Sequence, residues 1–226
     1  MKIGMLGTGM VGQVLAVKLT ELGHDVMIGT RSVEDAKART GKNSWGQPEF
    51  GDWYKEHLQI KVGTFAEAAA HGEWILNGTT GHGTLPALRS AGPALDGKVM
   101  IDISNPLDFS KGFPPFLSVT NTDSLGEQVQ RDFPNVKVVK ALNTVNAYVM
   151  VAPKSLGNGD HTLFVCGNDA EAETKVTDFL KHEFGWEQII DMGDITNSRA
   201  TEGLLPIWIR LMGVLGTPMF SFKVVK

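Results

Sequence analysis

The chain has 226 residues, 42% of them hydrophobic, which suits one large domain or a domain with a small second lobe. Its formal net charge is -4 and it contains no basic run, so neither nucleic acid nor a membrane is an expected partner. The single cysteine, Cys166, excludes an intramolecular disulfide framework, and neither a signal peptide nor a transmembrane run is apparent, so we expect a cytoplasmic protein.

The first part of the chain predicts a βαβ unit. Lys2 to Leu6 is a short apolar strand, and the residues after it place apolar side chains at helical spacing up to Leu22, with Gly23 positioned to end the helix. A second strand follows in "HDVMIG". The two strands and their helix occupy about thirty residues, the usual size of such a unit.

An aromatic stretch follows at residues 41–59. It carries Trp45, Phe50, Trp53 and Tyr54 among glycines and charged residues. Linkers rarely hold so many aromatic side chains, so we predict an ordered excursion here.

The rest of the chain alternates between strands and helices. Thr64 and Ser124 each begin a capping-box pattern, which predicts a helix start. Strands are predicted in "EWILN", "KVMIDI", "VKVVKAL", "HTLFVCG" and "EQIID", and helices in "LPALRSA", from about Asp169 to Phe184 and from about Ser198 to Gly213. This order predicts an α/β fold on a doubly wound, mostly parallel Rossmann sheet, with a small C-terminal α/β extension that ends in an apolar helix.

A G-x-G-x-x-G pattern joins the first strand to the first helix. The first glycine permits a tight turn, the second lets a pyrophosphate approach the backbone, and the third lets helix and strand pack closely. The first amides of the helix then point at the phosphates. A glycine turn without a ligand is the alternative, which the strand before it and the helix after it disfavour. The residues concerned are Gly7, Thr8, Gly9, Met10, Val11 and Gly12.

The end of the second strand lacks the acid that grips the ribose hydroxyls of NAD. Thr30, Arg31 and Ser32 stand there instead, with Lys37 close behind. A guanidinium can hold a phosphate through two parallel hydrogen bonds, so this stretch predicts selectivity for the 2′-phosphate of NADP. A solvated surface arginine is the competing interpretation. We place the NADP-binding core in residues 1–145 and a small lobe packed on it in residues 146–226.

Ligands of open α/β sheets bind outside the carboxyl ends of the strands, where four polar segments are expected. They are residues 78–83, 104–106, 142–147 and 196–199, rich in Thr, Ser, Asn and Gly. Such residues suit a flat ring and its amide groups but supply little acid or base. An acceptor that needs hydride and little help with protons is therefore favoured over a ketone.

Few titratable side chains are expected near this edge. His82 lies in one of the ligand-facing loops, although a solvent-facing histidine is the competing interpretation. Lys140 and Tyr148 are further candidates for contact with a substrate. No His or Cys pair has metal-ligand spacing, so we predict no metal site, and Cys166 is expected to fill an apolar strand.

Four motifs resemble the NADPH-dependent reductases of coenzyme F-420, a 5-deazaflavin. They are "KIGMLGTGMVG", "GTRS", "VVKALNT" and "NSRATEGLLPIWIRLM", and the likeness spans almost the whole chain. Similar motifs occur in the cytosolic domain of the six-transmembrane metalloreductases, which pass hydride from NADPH to a flavin. The resemblance implies an oxidoreductase that transfers hydride between NADP(H) and coenzyme F-420 or a flavin. It also implies a homodimer formed through the C-terminal helix.

The resemblance also assigns roles to residues. The glycine turn would hold the pyrophosphate and residues 30–32 the 2′-phosphate, while the loops 79–82 and 104–106 would wall the nicotinamide. Beside the residues already named, the cofactor side comprises Thr79, Thr80, Ser104, Asn105, Pro106, Ala141 and Asn143. The acceptor side comprises His82, Asn143, Val145, Asn197, Ser198 and Arg199.

Asn143 marks a departure, because the archetypal reductase of this family has a histidine at that position. Asparagine cannot titrate near neutrality, so F-420 could be bound differently, or a flavin or another acceptor could take its place. Two other functions stay open: an NADPH-dependent reductase of small carbonyl or imine substrates, and a non-catalytic NADP-sensing module. Asn143 and His82 are the candidates for a catalytic role.

Overall fold

The structure, a computed structural model, describes residues 1–43 and 46–226. Trp45 of the predicted aromatic excursion lies outside these residues. The strands are β1 Lys2–Leu6, β2 Asp25–Thr30, β3 Lys61–Thr64, β4 Trp74–Asn77, β5 Val99–Asp102, β6 Leu107–Asp108, β7 Phe116–Leu117, β8 Lys137–Ala141, β9 Thr162–Gly167 and β10 Gln188–Asp191. The helices are α1 Met10–Glu21, α2 Val33–Ala38, α3 Phe50–Lys55, α4 Phe65–His71, α5 Gly81–Ala91, α6 Leu125–Asp132, α7 Ala147–Val151, α8 Ala170–Phe179, α9 Ser198–Gly203 and α10 Leu205–Leu215.

Eight strands form one sheet in the order β10-β9-β8-β5-β4-β1-β2-β3, and β6 and β7 form a separate hairpin. From β3 to β8 in that order, neighbouring strands pair in parallel; β9 pairs with β8 antiparallel and with β10 in parallel. The order reverses at β1, and the crevice at such a reversal is where open sheets bind nucleotides. The predicted doubly wound, mostly parallel sheet is confirmed. The boundary at residue 145 stays a prediction, since β9 and β10 continue the same sheet.

Helices cover both faces of the sheet. On one face α1, α7 and α8 bury apolar side chains such as Leu19, Val149 and Val176. On the other face α5 and α6 bury Leu88 and Val129. The central strands are therefore covered on both sides, which accounts for their near-continuous apolar sequences.

Local sequence signals are matched at several helix ends. Gly23 adopts a left-handed φ of +85° just after α1, and Thr64 forms both bonds of its capping box with Glu67. Ser124 also caps its helix, accepting from the amide of Glu127 at 3.1 Å. The reciprocal bond to the Ser124 amide is not among its contacts, because the Glu127 carboxylate turns to Arg199 instead.

Other elements differ from the sequence expectations. The patterns do not predict β3, α2 and α7, which are too short to show a clear period. Helix α5 begins at Gly81, inside the polar loop expected at residues 78–83; a Cβ at Gly81 would lie 2.5 Å from the carbonyl oxygen of Asn105, so only glycine fits there. The last helix is broken at Leu204, because Pro206 lacks the amide that a continuous helix would need.

The expectation that residues 196–199 leave the sheet with the other polar segments is wrong. β9 and β10 run opposite to the six parallel strands, so the carboxyl end of β10 points away from the shared edge. No described helix is long and apolar enough to cross a membrane.

Glu173 on α8 gives the fold a testable pH dependence. The side chain is buried, and burial together with Asp191 raises its pKa to about 7, above the ordinary value of 4.5. Ionisation is therefore disfavoured in the folded chain, so Glu173 lowers stability above pH 7 and has no such effect below about pH 4.5. We expect Glu173→Gln to stabilise the protein by about 2 kcal/mol at pH 8, or roughly 5 °C in Tm, and not at pH 4.5.

The measurement is thermal unfolding of both proteins at the two pH values. Glu171→Gln is the matched control, because Glu171 lies in an exposed pair with Lys175 and its loss should change stability little. An equal Tm for Glu173→Gln and the unaltered chain at pH 8 would contradict the assignment.

Candidate functional site

The turn between β1 and α1 is shaped by close backbone packing. Gly7 has a φ of +110°, and a Cβ there would lie 2.8 Å from the carbonyl oxygen of Gly78. A Cβ on Gly12 would lie 2.2 Å from the carbonyl oxygen of Gly7, so α1 can approach the turn only because residue 12 has no side chain. Gly9 is different, since a Cβ built there would meet no heavy atom within 4 Å. The turn is tight on its inner side and open at Gly9.

The open side faces a cleft of about 490 Å³. The cleft runs from the turn past the end of β2 to the start of α5. No side chain caps the first amides of α1, and uncapped amides at a helix start attract phosphate. Val11 packs its side chain against the core. The predicted residues that line the cleft are Gly7, Thr8, Gly9, Met10, Thr30, Arg31, Thr79, Thr80 and His82.

The guanidinium of Arg31 is available to a ligand. Arg31 is exposed at the cleft, and in residues 1–43 and 46–226 it has no hydrogen bond or ion pair. Ser32 caps α2 by accepting from the amide of Asp35 at 3.1 Å. Lys37 lies 4.6 Å from the ring centre of Tyr54 on α3 and does not line the cleft.

Arg39 is a second cation of the cleft that sequence reasoning missed. Its Nη2 donates to the Thr8 hydroxyl at 2.6 Å, and its Nε lies 4.0 Å from a carboxylate oxygen of Glu49. Its backbone carbonyl accepts from the amide of Gly51, where any side chain would collide with the carbonyl oxygen of Lys37 at 2.1 Å. Only the folding of α3 onto the end of α2 brings Arg39 back to the turn. An open glycine turn with two arginines beside it fits a dinucleotide that carries an additional phosphate.

Polar side chains at the carboxyl ends of β4 and β5 are bonded to one another. Asn77 donates to Asp102 at 2.8 Å, and the Thr79 hydroxyl donates to Asn77 Oδ1 at 2.7 Å. Ser104 donates to Asp102 through both its amide and its hydroxyl. The loops predicted to wall the nicotinamide are thus held rigidly by buried hydrogen bonds.

Asn105 and Asn143 form a reciprocal pair at the same edge. Asn105 Nδ2 donates to the Asn143 carbonyl at 2.8 Å, and Asn143 Nδ2 donates to Asn105 Oδ1 at 3.0 Å. Leu142 has a φ of +64°, an uncommon conformation for its type, so the chain turns sharply out of β8. Asn143 is buried, and its Oδ1 has no hydrogen-bond partner among the described residues. Neither asparagine is among the residues that line the cleft.

Lys140 is enclosed and does not face the cleft. Its ammonium donates to Asp102 at 2.9 Å and to the Ser104 carbonyl at 2.6 Å, and lies 2.7 Å from Glu202. Burial would lower the pKa of Lys140, but Asp102 and Glu202 together raise it above the ordinary value. All three N–H donors are used, so none is left for a substrate.

His82 and Tyr148 are both exposed. His82 lies in the first turn of α5 at the cleft, and it helps Ser110 to hold the pKa of Asp108 below its usual value. Tyr148 donates from its hydroxyl to Gln47 Oε1 at 3.4 Å, and it does not line the cleft.

The late motif, residues 197–212, packs α9 against α6 and does not line the cleft. Ser198 is fully buried against Gly126, Arg199 pairs with Glu127, and Asn197 donates to the Asp194 carbonyl at 3.3 Å. The remaining predicted residues, Ala141 and Val145, are buried in the apolar core. The carbonyl of Pro106 accepts from the amide of Ser118, next to the hairpin of β6 and β7.

A doubly wound sheet with a glycine turn beside its point of reversal, and two arginines at that turn, defines a Rossmann-type dinucleotide-binding protein. Residues 2–106 match the family described as NADP oxidoreductase, coenzyme F420-dependent. The F420-dependent NADP reductase of Methanocaldococcus jannaschii is 30% identical over 214 residues, covering 93% of this chain and 92% of that protein. The chain belongs to this family and is an NADP-dependent oxidoreductase.

Other similar proteins match different shares of this chain and of their own length. A crystal structure from Arthrobacter sp. FB24, assigned as an F420-dependent NADP-reductase, is 49% identical with a TM-score of 0.93 and covers the whole of both chains. Metalloreductase STEAP3 of Rattus norvegicus is 26% identical over 92% of this chain, but the match spans only 38% of that protein. An imine reductase of Streptomyces aurantiacus shares the fold, with 16% identity, a TM-score of 0.61 and coverage of 96% and 64% of the two chains.

Arg31→Ala tests how the cleft selects its dinucleotide. Arg31 has no partner among the described residues, so its removal should leave the fold intact and weaken only the hold on a 2′-phosphate. We expect the Kd of NADPH to rise about 100-fold, as for the loss of a charge-assisted bidentate contact, and that of NADH to change less than about threefold. Fluorescence titration with both dinucleotides measures the two constants.

Arg39→Met is the matched variant at the same cleft. Arg39 contacts the turn itself through Thr8, so its loss should weaken NADPH and NADH by a similar factor, on the order of tenfold. If Arg31→Ala reduced both affinities equally, the assignment of Arg31 to the 2′-phosphate would be wrong.

Proposed function

We propose that this protein transfers hydride between NADPH and a ring acceptor, a deazaflavin such as coenzyme F-420 or a flavin. The cofactor would lie with its pyrophosphate at the turn of residues 7–12, its 2′-phosphate at Arg31, and its ring between residues 78–80 and 104–106. Bound NADPH supplies the hydride. The side chains of this chain bind the two ends of the cofactor and hold the walls of the ring site in place.

The observation that carries the proposal is the chemistry of the carboxyl edge. Asn77, Asp102 and Ser104 are bonded to one another, and the Lys140 ammonium is enclosed, so none of them is free to deliver a proton. Reduction of a ketone to an alcohol needs a proton donor at the reacting oxygen. A ring system that accepts hydride at a ring carbon (a deazaflavin) or a ring nitrogen (a flavin), and exchanges its proton with water at a polar edge, has no such need.

The Asn105–Asn143 pair is the proposed positioning element for the nicotinamide. Asn143 Oδ1, which has no hydrogen-bond partner among the described residues, would accept from the carboxamide NH₂ of the ring. By the resemblance, Asn143 stands where the archetypal reductase has a histidine, so preference between deazaflavin and flavin would be decided at this position. A hydride acceptor must be held within about 3.5 Å of the donor carbon, so a small displacement of the ring lowers the rate strongly.

The homodimer implied by the resemblance is retained as part of the proposal. Helix α10 and the segment after it leave Ile207, Val214 and Leu215 exposed, together with Val225. Exposed apolar side chains concentrated on one terminal helix suit contact with a second copy of the chain.

An acceptor assay tests the proposal. Purified protein and NADPH are mixed with F-420, FMN or FAD, or with a small ketone or imine, and loss of nicotinamide absorbance is followed. We expect turnover with F-420 or a flavin and none with the ketone or imine. Turnover with the carbonyl or imine alone would favour a reductase that uses exposed His82 as proton donor, and tight NADPH binding without any turnover would favour a sensor.

Asn143→Ala separates ring positioning from cofactor affinity. Because the phosphates supply most of the binding, the Kd of NADPH should change less than about threefold, while kcat with the best acceptor should fall by roughly 10- to 100-fold. Single-turnover kinetics and titration give the two quantities. Asn135→Ala, which removes an exposed asparagine bonded to Asp96, is the control and should alter neither; a fall in affinity equal to the fall in kcat would contradict the role given to Asn143.

A further inference from the structure

Three buried ionisable side chains meet beneath the carboxyl edge of the sheet. Asp102 ends β5, Lys140 is the penultimate residue of β8, and Glu202 lies on α9. The Lys140 ammonium lies 2.9 Å from Asp102 Oδ2 and 2.7 Å from Glu202 Oε1. None of the three is more than 2% exposed. We call this group the buried triad.

Among the described residues, both carboxylates of the triad accept hydrogen bonds from donor groups only. Glu202 accepts from the amides of Leu125 and Gly126, each at 2.9 Å, in addition to its contact with Lys140. Asp102 accepts from Asn77 Nδ2 and from the Ser104 amide and hydroxyl, besides Lys140. Each of these partners is a donor, and a protonated carboxyl would direct its own proton at one of them. With Lys140 protonated, the triad carries one net negative charge.

The triad lies directly under the walls of the ring site. In the sheet register Asn77 is opposite Asp102, and Asp102 is opposite Lys140. The carbonyl of Ser104, the first residue of the 104–106 wall, accepts from Lys140 at 2.6 Å. The neighbouring carboxylate of Glu127 is paired with Arg199, so it adds no uncompensated charge.

We propose that the buried triad is a fixed negative charge that favours the oxidised nicotinamide over the reduced one at this site. Loss of hydride from NADPH leaves a positive charge on the ring, and the hydride, a proton with two electrons, passes to the acceptor. A charge held away from water interacts strongly with a charge that develops nearby, and it needs no rearrangement during the reaction. The triad thereby biases the bound cofactor towards giving up its hydride.

This inference rests on the proposed function only in placing the nicotinamide ring at this edge. It concerns residues that do not touch the cofactor and act through their field. The measured quantity is therefore the ratio of the Kd of NADP⁺ to that of NADPH, which reports the relative stability of the two ring states without any acceptor.

Glu202→Gln removes the net charge of the triad. We expect the Kd of NADP⁺ to rise about tenfold relative to that of NADPH, which corresponds to a rise of about 30 mV in the potential of the bound couple. Calorimetric titration of the full chain with each nucleotide measures the ratio. Glu171→Gln, which removes an exposed carboxylate paired with Lys175, is the control and should leave the ratio unchanged.

Two further variants separate charge from disruption. Lys140→Met combined with Glu202→Gln leaves Asp102 alone, still bonded to Asn77 and Ser104, and restores one negative charge; the ratio should return to within about twofold of the unaltered chain. Adding Asp102→Asn makes the group neutral without an unpaired charge, and the tenfold change should reappear. The ratio should therefore alternate along the series, whereas disruption of packing would grow with each substitution.

An unchanged ratio in a folded Glu202→Gln variant overturns the proposal, as does a steady worsening along the series. If Glu202→Gln does not fold, as judged by its melting curve, the neutral triple variant supplies the same comparison with the double variant. Failure of the unaltered chain to bind either nucleotide would refute the proposed function, whereas binding of both with ratios insensitive to charge would refute only this inference.

Discussion

The structure depends on one requirement at the carboxyl edge of its parallel strands: buried polar groups must find partners inside the protein. Asn77, Asp102 and Lys140 end or nearly end three neighbouring strands and have no access to water. Lys140 joins β5, β8, the 104–106 turn and, through Glu202, the start of α6. Breaking such a buried ionic group costs about 3 to 5 kcal/mol, because it leaves a charge without a partner. The rigidity of the loops at this edge follows from this constraint.

The phosphate end of the cleft is shaped by steric contact and by exposed charge. Gly7 and Gly12 are required by steric contact with backbone, while Gly9 leaves space for a ligand. Charge is supplied by Arg31, which has no partner in residues 1–43 and 46–226, and by Arg39, which donates to the Thr8 hydroxyl. In the proposed function, the exposed cations would hold the phosphates, and the polar groups already bonded at the carboxyl edge would orient the ring. This division suits an enzyme whose affinity and rate are set by different residues.

Membership of the F420-dependent NADP oxidoreductases identifies the dinucleotide as NADP(H) but does not by itself identify the hydride acceptor. The Asn105–Asn143 pair rests on the uncommon backbone conformation of Leu142. In the proposed function, this pair orients the nicotinamide towards the ring acceptor.

The sequence by itself determined the features that depend on near neighbours. The first βαβ unit, the glycine turn, the caps at Thr64 and Ser124 and the missing acid after β2 are all local patterns, set by sterics and hydrogen bonds within a few residues. Only the tertiary structure decided which distant groups meet. It places Lys37 against Tyr54 and brings Arg39 to the glycine turn. It also reverses β9 and β10, so that the late motif packs on α6. Finally, it encloses Lys140 between two carboxylates. Those outcomes depend on the packing of helices and strands far apart in the chain, which no local pattern encodes.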